Sequence, residues 1–262
     1  MLGKVVLMKH KPANKCRHCS VHTDTGRFCS LLNDSEANML SDQSRTATLK
    51  RGKSIGSEEL LMWPIIAISS GVISMQHLLE DGRKTIAALF MAGDIIDMRG
   101  MSARNNGHLI ALSKTEVCRM SPTVFESIIE TNPNAQRVAW NNLRKQTYRA
   151  IDHAADLAKK QAMEKLASFV FECRRRQSSD NPEGLVHIPV RRVDMAEYIG
   201  MQPETVSRCF RDLEQRGIIE FQNISNIRIL NVPSLRRIAN GDKNTENLRD
   251  TSEDHFKVLS YG

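Results

Sequence analysis

Nowhere does the 262-residue chain carry a glycine-rich phosphate loop, a paired-carboxylate motif or a nucleophile elbow. Catalysis therefore has no identifiable starting point. Cys16, Arg17, His18 and Cys19 supply a thiol beside an imidazole, but spacing identifies no third group to orient them, so an enzyme is not expected. No apolar run approaches the length of a membrane span, and residues 5–8 are too short for a signal-peptide core. The expected location is the cytoplasm, with no membrane partner. Glycine and proline are both missing from residues 134–161, which excludes a break there and predicts one long helix. The charge is not balanced: a formal +7 and a pI near 9.2 suit a polyanion, although a membrane surface would be served equally well.

Six cysteines are present, and in a reducing cytosol they favour metal or redox use over a disulfide framework. Cys16, Cys19 and Cys29 cluster near the start, with Cys118 far along the chain. Four thiolates make one complete ligand set, and spacing alone does not distinguish an iron-sulfur cluster from structural zinc. Zinc could also draw on His18 or His22, and free or disulfide-forming cysteines are a further reading. Lys15, Arg17 and Arg27 surround the N-terminal trio, which favours deprotonated sulfur. Cys173 and Cys209 sit in helical patterns and read as small buried hydrophobes. Oxidation of Cys209 beside Arg208 would place bulk or charge near an outward helix face.

Residues 193–217 read VDMAEYIGMQPETVSRCFRDLEQRG, the spacing of a helix-turn-helix. Ala196 fills the helix crossing and Gly200 the turn, where a Cβ would collide or forbid the dihedral. Met195, Ile199, Val206, Cys209, Phe210 and Leu213 form the apolar face, and Glu204, Ser207, Arg208 and Arg211 point away from it. That outward set suits a major groove.

The motif resembles the winged helix-turn-helix of the FNR/CRP family of bacterial transcription regulators. The resemblance implies that Glu204, Thr205, Ser207, Arg208 and Arg211 bind DNA. A carboxylate accepts from cytosine, Arg donates twice to guanine, and a hydroxyl serves beside thymine. Pro203 stands where a cyclic-nucleotide-responsive relative would have an Arg, so the FNR-like branch and an inverted repeat of TTGAT are implied. By the same resemblance Cys16, Cys19, Cys29 and Cys118 hold a 4Fe-4S cluster that makes the protein an oxygen sensor. Nine residues separate Cys19 from Cys29, a longer gap than in the best-studied members, so oxygen sensitivity does not carry over with the fold. The implied switch is an arm ordered against the long helix at low oxygen, favouring the dimer, and released by oxygen. A homodimer, RNA polymerase and double-stranded DNA are the implied partners, and promoters for low-oxygen respiration or nitrogen metabolism the implied targets.

Between Ala47 and Met120 short β-type runs alternate with glycines, and Gly71, Gly82 and Gly93 recur every eleven residues. That beat predicts an antiparallel jelly roll and resembles the family's cyclic-nucleotide-binding fold. A cyclic nucleotide is nonetheless not expected: Met98 replaces the ribose-binding Glu, and Asn105 and Asn106 replace the phosphate-binding Arg-Ser pair, with Arg99 and Arg104 nearby. Haem ligation through His77 or His108 is less favoured than an ordinary strand position for each. The turn at residues 79–84, with Asp81, Arg83 and Lys84 at its tip, is the expected polymerase contact.

The expected class is α+β. Residues 1–40 form a cysteine-rich sensor arm with a short helix near 35–40, and 41–133 the jelly roll, ending in a helix from Ser121 and Pro122 to Ile129 and a break at Pro133. Residues 134–162 form a dimerisation helix whose seam is Tyr148, Ile151, Ala155, Ala158 and Ala162, with Asp152, His153 and Asp156 near it. A two-fold dimer would present two recognition helices to an inverted repeat. Residues 163–240 form the winged helix-turn-helix. There, IPVRRVDM at 188–195 supplies a strand and helix entry, 181–184 a turn, and the hairpin about Ser225 and Asn226 a wing contacting phosphates. Residues 241–262 form a mobile tail.

Overall fold

The computed structural model describes residues 27–78, 80–100, 107–177 and 184–242. Cys16, Cys19, His18, His22, the 104–106 segment, most of the 181–184 turn and the tail from 243 lie outside them. The chain divides into two compact units: residues up to Leu157 together with Pro189–Pro203, and Ala158–Ile188 together with the residues from Glu204 onward.

The first unit is built on two antiparallel sheets. Strands β1 (Ser44–Leu49), β2 (Ile65–Ser70), β5 (Ile95–Asp97) and β7 (Thr115–Met120) form one, in the order β1-β7-β2-β5. Strands β3 (Val72–Leu78), β4 (Lys84–Met91) and β6 (Gly107–Ala111) form the other, in the order β4-β3-β6. Successive side chains of a strand face opposite ways, and β2 uses both faces. Ile66 and Ile68 enter the core between the sheets with Ile73, Phe90, Leu109 and Val117. Ile65 and Ala67 enter a second core with Cys118 and Met120. That core is covered by helix α1 (Asp34–Asp42), α3 (Pro122–Thr131) and the start of α4 (Pro133–Lys159). A short α2 (Ser57–Met62) precedes β2.

The glycine beat is a series of left-handed corners, with φ of 84°, 84° and 91° at Gly71, Gly82 and Gly93. The helix starts are equally local. Asn33 and Glu36 form a reciprocal capping box on α1, and Ser121 caps α3 with Pro122 in its first turn. Pro133, expected as a break, instead opens α4 at the first-turn position where its missing N–H costs nothing.

One face of α4 is pinned to the jelly roll by polar groups. Asn142 Oδ1 accepts from the N–H of Ile95 at 3.0 Å, its Nδ2 donates to the Gly93 carbonyl at 2.9 Å, and Gln146 Nε2 donates to the Ile95 carbonyl at 2.8 Å. Arg149 reaches buried Asp94 at 3.0 Å. The helix ends at Lys159, and a new one, α5 (Ala162–Arg176), starts after a Gln161–Glu164 capping box. Ala162 therefore does not continue the α4 seam. It opens another helix, because the cap interrupts the ladder.

Helix α6 (Arg192–Ile199) also packs within the first unit. Asp194 meets Arg51 at 2.6 Å, Glu197 meets Lys84 at 3.0 Å, and Tyr198 stacks on His153 with ring centroids 4.0 Å apart. His153 is thus turned onto α6 and away from the expected seam.

The second unit contains α5, β8 (Leu185–His187), α7 (Pro203–Gln215, from Glu204), β9 (Ile219–Phe221), β10 (Asn226–Ile229) and α8 (Val232–Ala239). The strands form an antiparallel sheet in the order β8-β10-β9. The first strand falls at 185–187, earlier than the expected 188–195, because Val186 pairs with Ile227 and the ladder stops at His187. The β9–β10 hairpin turns through residues 222–225, and Asn226 already belongs to β10.

Gly71 sets a sharp stability test. A Cβ there would lie 2.5 Å from the Lys114 carbonyl oxygen and 2.7 Å from Thr115 Cα, on top of a φ of +84°. Gly71→Ala should therefore cost about 3 kcal/mol or more in urea unfolding, whereas Gly82→Ala, with nothing within 4 Å, should cost less. Equal losses would contradict the close approach at Gly71.

Candidate nucleic-acid interface and cysteine site

Helix α6 ends because Gly200 turns left-handed, with φ 64° and ψ 47°, and its N–H bonds the Ala196 carbonyl. A residue with a Cβ at 200 would also press on Leu157 Cδ2 at 3.1 Å. Pro203 then starts α7, where its fixed φ suits the first helical position. On α7, Val206, Cys209, Phe210 and Leu213 are buried, the i, i+3, i+4, i+7 stripe of a helix with one apolar face. Glu204, Arg208 and Arg211 are exposed on the other side, with Thr205 and Ser207 partly exposed. The structure thus gathers all five residues expected to bind DNA on one helix, within two turns, with two guanidinium groups and one carboxylate in water.

The wing carries no basic tip. Residues 220–227 hold no Lys or Arg, and the nearest cation, Arg228, pairs in register with Glu220, an opposite-charge cross-strand pair. Any phosphate contact by the hairpin tip would therefore use uncharged groups such as Asn223 and Ser225.

Cys29 lies in a 3-10 turn, Phe28–Leu31, and Cys118 on the central strand β7. Both are buried in the same apolar cluster, with Phe28, Leu40, Phe125 and Ile128 around them. Two of the four expected ligands, distant in sequence, are thereby brought into one core. No group of three or more potential metal-binding side chains occurs among the described residues, and Cys16 and Cys19 lie outside them. Cys173 is fully buried, and burial, followed by Glu172, pushes its thiol far up. Burial and then Asp212 also raise the Cys209 thiol. A neutral, enclosed thiol is a poor nucleophile, so Cys209 packs as a hydrophobe.

Of the positions weighed for a cyclic nucleotide, residues 104–106 lie outside the described residues. Met98 is buried in the core between the sheets. Arg99 is bound by Asp97 at 2.7 Å and by Glu126, and these carboxylates, Asp97 first, hold its pKa above the ordinary value against the effect of burial. His77 pairs in register with Gly107 and His108 with Gln76, ordinary strand positions.

On α4, Tyr148, Ile151, Ala155 and Ala158 are exposed. Toward the helix start Trp140, 62% exposed, and Leu143 are also exposed, Trp140 two i+4 steps before Tyr148 and Leu143 two i+4 steps before Ile151. At the β3–β4 turn, Asp81 and Arg83 are exposed and bonded to each other at 2.8 Å. Lys84 is engaged by Glu197.

Known proteins resemble this chain along most of its length. Residues 164–238 match the Crp-like helix-turn-helix domain. The nitrogen fixation regulation protein FixK of Bradyrhizobium diazoefficiens is 30% identical over 215 residues, covering 82% of this chain and 90% of that protein. The fumarate and nitrate reduction regulatory protein of Escherichia coli is 25% identical over 236 residues, covering 87% and 92%. The solved structure of FixK2 from Bradyrhizobium japonicum superposes with a TM-score of 0.64 at 26% identity, covering 74% of this chain and 96% of that one. A CooA variant from Carboxydothermus hydrogenoformans, at 17% identity and a TM-score of 0.62, shares the fold. Among the described residues no helix is long and apolar enough to cross a membrane.

The thiol environments make a direct prediction. In a brief alkylation of native protein at neutral pH read by peptide mass mapping, Cys173 and Cys209 should stay unlabelled and become fully labelled in urea. Rapid native labelling of Cys209 would restore it as a redox-responsive site.

Proposed function

Because this chain belongs to the FNR/CRP family of transcription regulators, within its FixK/FNR branch, we propose that it is an oxygen-responsive homodimeric regulator, mainly an activator. It binds TTGAT-type inverted repeats at low oxygen and controls genes of low-oxygen respiration or nitrogen metabolism. The observation that carries the reading is α7: its inner face is buried on an apolar stripe while Glu204, Arg208 and Arg211 stand in solvent. A helix so held presents a carboxylate for cytosine N4 and guanidinium groups for guanine O6 and N7 from one rigid scaffold.

Two copies are needed to read an inverted repeat. The exposed stripe of Trp140, Leu143, Tyr148, Ile151, Ala155 and Ala158 on α4 supports self-association, since a matching copy would remove it from water. The opposite face of α4 is already committed to Gly93, Asp94 and Ile95. Asp81 and Arg83, exposed at a rigid turn, are the polymerase contact in this reading, with Lys84 holding α6.

Cys16, Cys19, Cys29 and Cys118 would hold a 4Fe-4S cluster, whose reaction with oxygen would supply the signal. Supporting this, Cys29 and Cys118 share one buried apolar cluster, a setting that shields metal-bound sulfur from water. The residues also tie that cluster to the rest of the unit. Cys118 lies between β1 and β2 in register with Thr46 and Ala67, and Ala135, at the start of α4, packs into the same core.

The test begins with protein purified without oxygen. Iron, sulfide and zinc assays with a visible spectrum should give about four irons and four sulfides per chain and an absorption band that changes in air. Cys118→Ser should lose the iron. Full iron in that variant would remove Cys118 from the ligand set, and zinc in the parent would replace the oxygen signal with a structural metal. Glu204→Ala should relax discrimination at one base pair of the half-site by about 1–3 kcal/mol in competition binding, leaving other positions unaltered. An unchanged base preference would contradict the role of Glu204.

A further inference from the structure

We propose that the wing tip, residues 222–225 centred on Ile224, enters the minor groove beside each half-site and favours A·T over G·C pairs there. The inference rests on the reading of α7 as the base-reading helix.

Ile224 is 91% exposed, the most exposed of the large apolar side chains in the described residues. The backbone beneath it is fixed. Asn223 Oδ1 accepts from the N–H groups of Ser225 at 3.0 Å and Asn226 at 2.9 Å, and the Asn226 carbonyl accepts from those of Gln222 at 3.0 Å and Asn223 at 3.2 Å. The hairpin is tied to α7 in the same unit. Phe221 meets Phe210 with ring centroids 5.6 Å apart, and the Phe221 N–H donates to Glu214 Oε1 at 3.4 Å. A helix seated in the major groove therefore carries the tip alongside it, toward the neighbouring groove.

The chemistry of the tip selects the kind of contact. With no Lys or Arg in residues 220–227, binding there cannot come from phosphate neutralisation and counterion release. What the tip offers is an apolar wedge beside the amide of Asn223, a residue type that serves in minor grooves, while Gln222 Nε2 donates to Glu220 Oε2 at 2.6 Å. The minor-groove floor of A·T pairs shows only acceptors, whereas G·C adds the guanine N2 amine. That amine would obstruct the Ile224 side chain and remain unpaired against it.

The experiment uses the full chain, handled without oxygen, and fluorescence anisotropy on TTGAT palindromes that differ only in the pairs next to each half-site. Those pairs are A·T, G·C or inosine·C, the last keeping the major-groove pattern of G·C while lacking the amine. The parent should bind the A·T and inosine·C duplexes alike and the G·C duplex about tenfold more weakly. Ile224→Ala, which removes only exposed atoms and should melt with the parent, should abolish that difference while keeping the preference for the palindrome. Flank-indifferent binding by the parent, inosine·C behaving as G·C, or a difference retained in Ile224→Ala would overturn the inference and leave the α7 reading intact. Failure of the parent to recognise the palindrome with any flank would overturn both.

Discussion

Alternate side chains of β7 enter two different cores, and the first unit is organised around that period of two. Val117 points between the sheets while Cys118 and Met120 point toward α1, α3 and α4. A slip of one residue would exchange the two sets and carry Cys118 away from Cys29. Thr115, buried at the start of the strand, holds the register: its hydroxyl accepts from the Val72 N–H and donates to the Val72 carbonyl, each at 3.1 Å. Gly71 permits that approach because it has no Cβ. The shared burial of Cys29 and Cys118, the helical cover and the corner glycine are thus consequences of one strand's alternation.

Helix α4 solves a related problem with two unlike faces. Toward the roll it uses Asn142 and Gln146 to satisfy the half-buried backbone of Gly93 and Ile95, and Arg149 to pair with buried Asp94, whose carboxylate also accepts from the Met91 N–H. Toward solvent it leaves an apolar stripe. The polar face sets rotation and register, so the stripe points outward whether or not a second copy is present. The same division of labour recurs on α7, where burial of Val206, Phe210 and Leu213 turns Glu204, Arg208 and Arg211 to solvent. In both helices the buried face fixes the orientation of the exposed one.

Much of this was legible because it is local. The eleven-residue glycine beat, the Ser121-Pro122 helix start and the α7 stripe each depend on dihedral freedom or a 3.6-residue period within a short window. What was not legible depended on distant partners. Strand β8 falls at 185–187 because β10 pairs there, and Ala162 leaves the seam because Gln161 caps a new helix. His153 reads as a seam neighbour until Tyr198 stacks on it. Helix α8 also begins on local signals, the Asn231 cap and Pro233 in its first turn. Trp140 and Leu143 fall outside the expected 3-4 alternation because Leu143 lies five residues before Tyr148.

Sequence alone determined the fold class, the helix that carries Glu204, Arg208 and Arg211, and the side of that helix they occupy, since periodicity and turn chemistry act over a few residues. It also supplied four cysteines without bringing them together. Only the tertiary structure placed Cys29 and Cys118 in one core, committed Arg99 to Asp97 and Glu126 and Lys84 to Glu197, and exposed Ile224 on a tip without cations. Each of these is a contact or an exposure between residues far apart in the chain or dependent on how strands pair, and no local pattern encodes it.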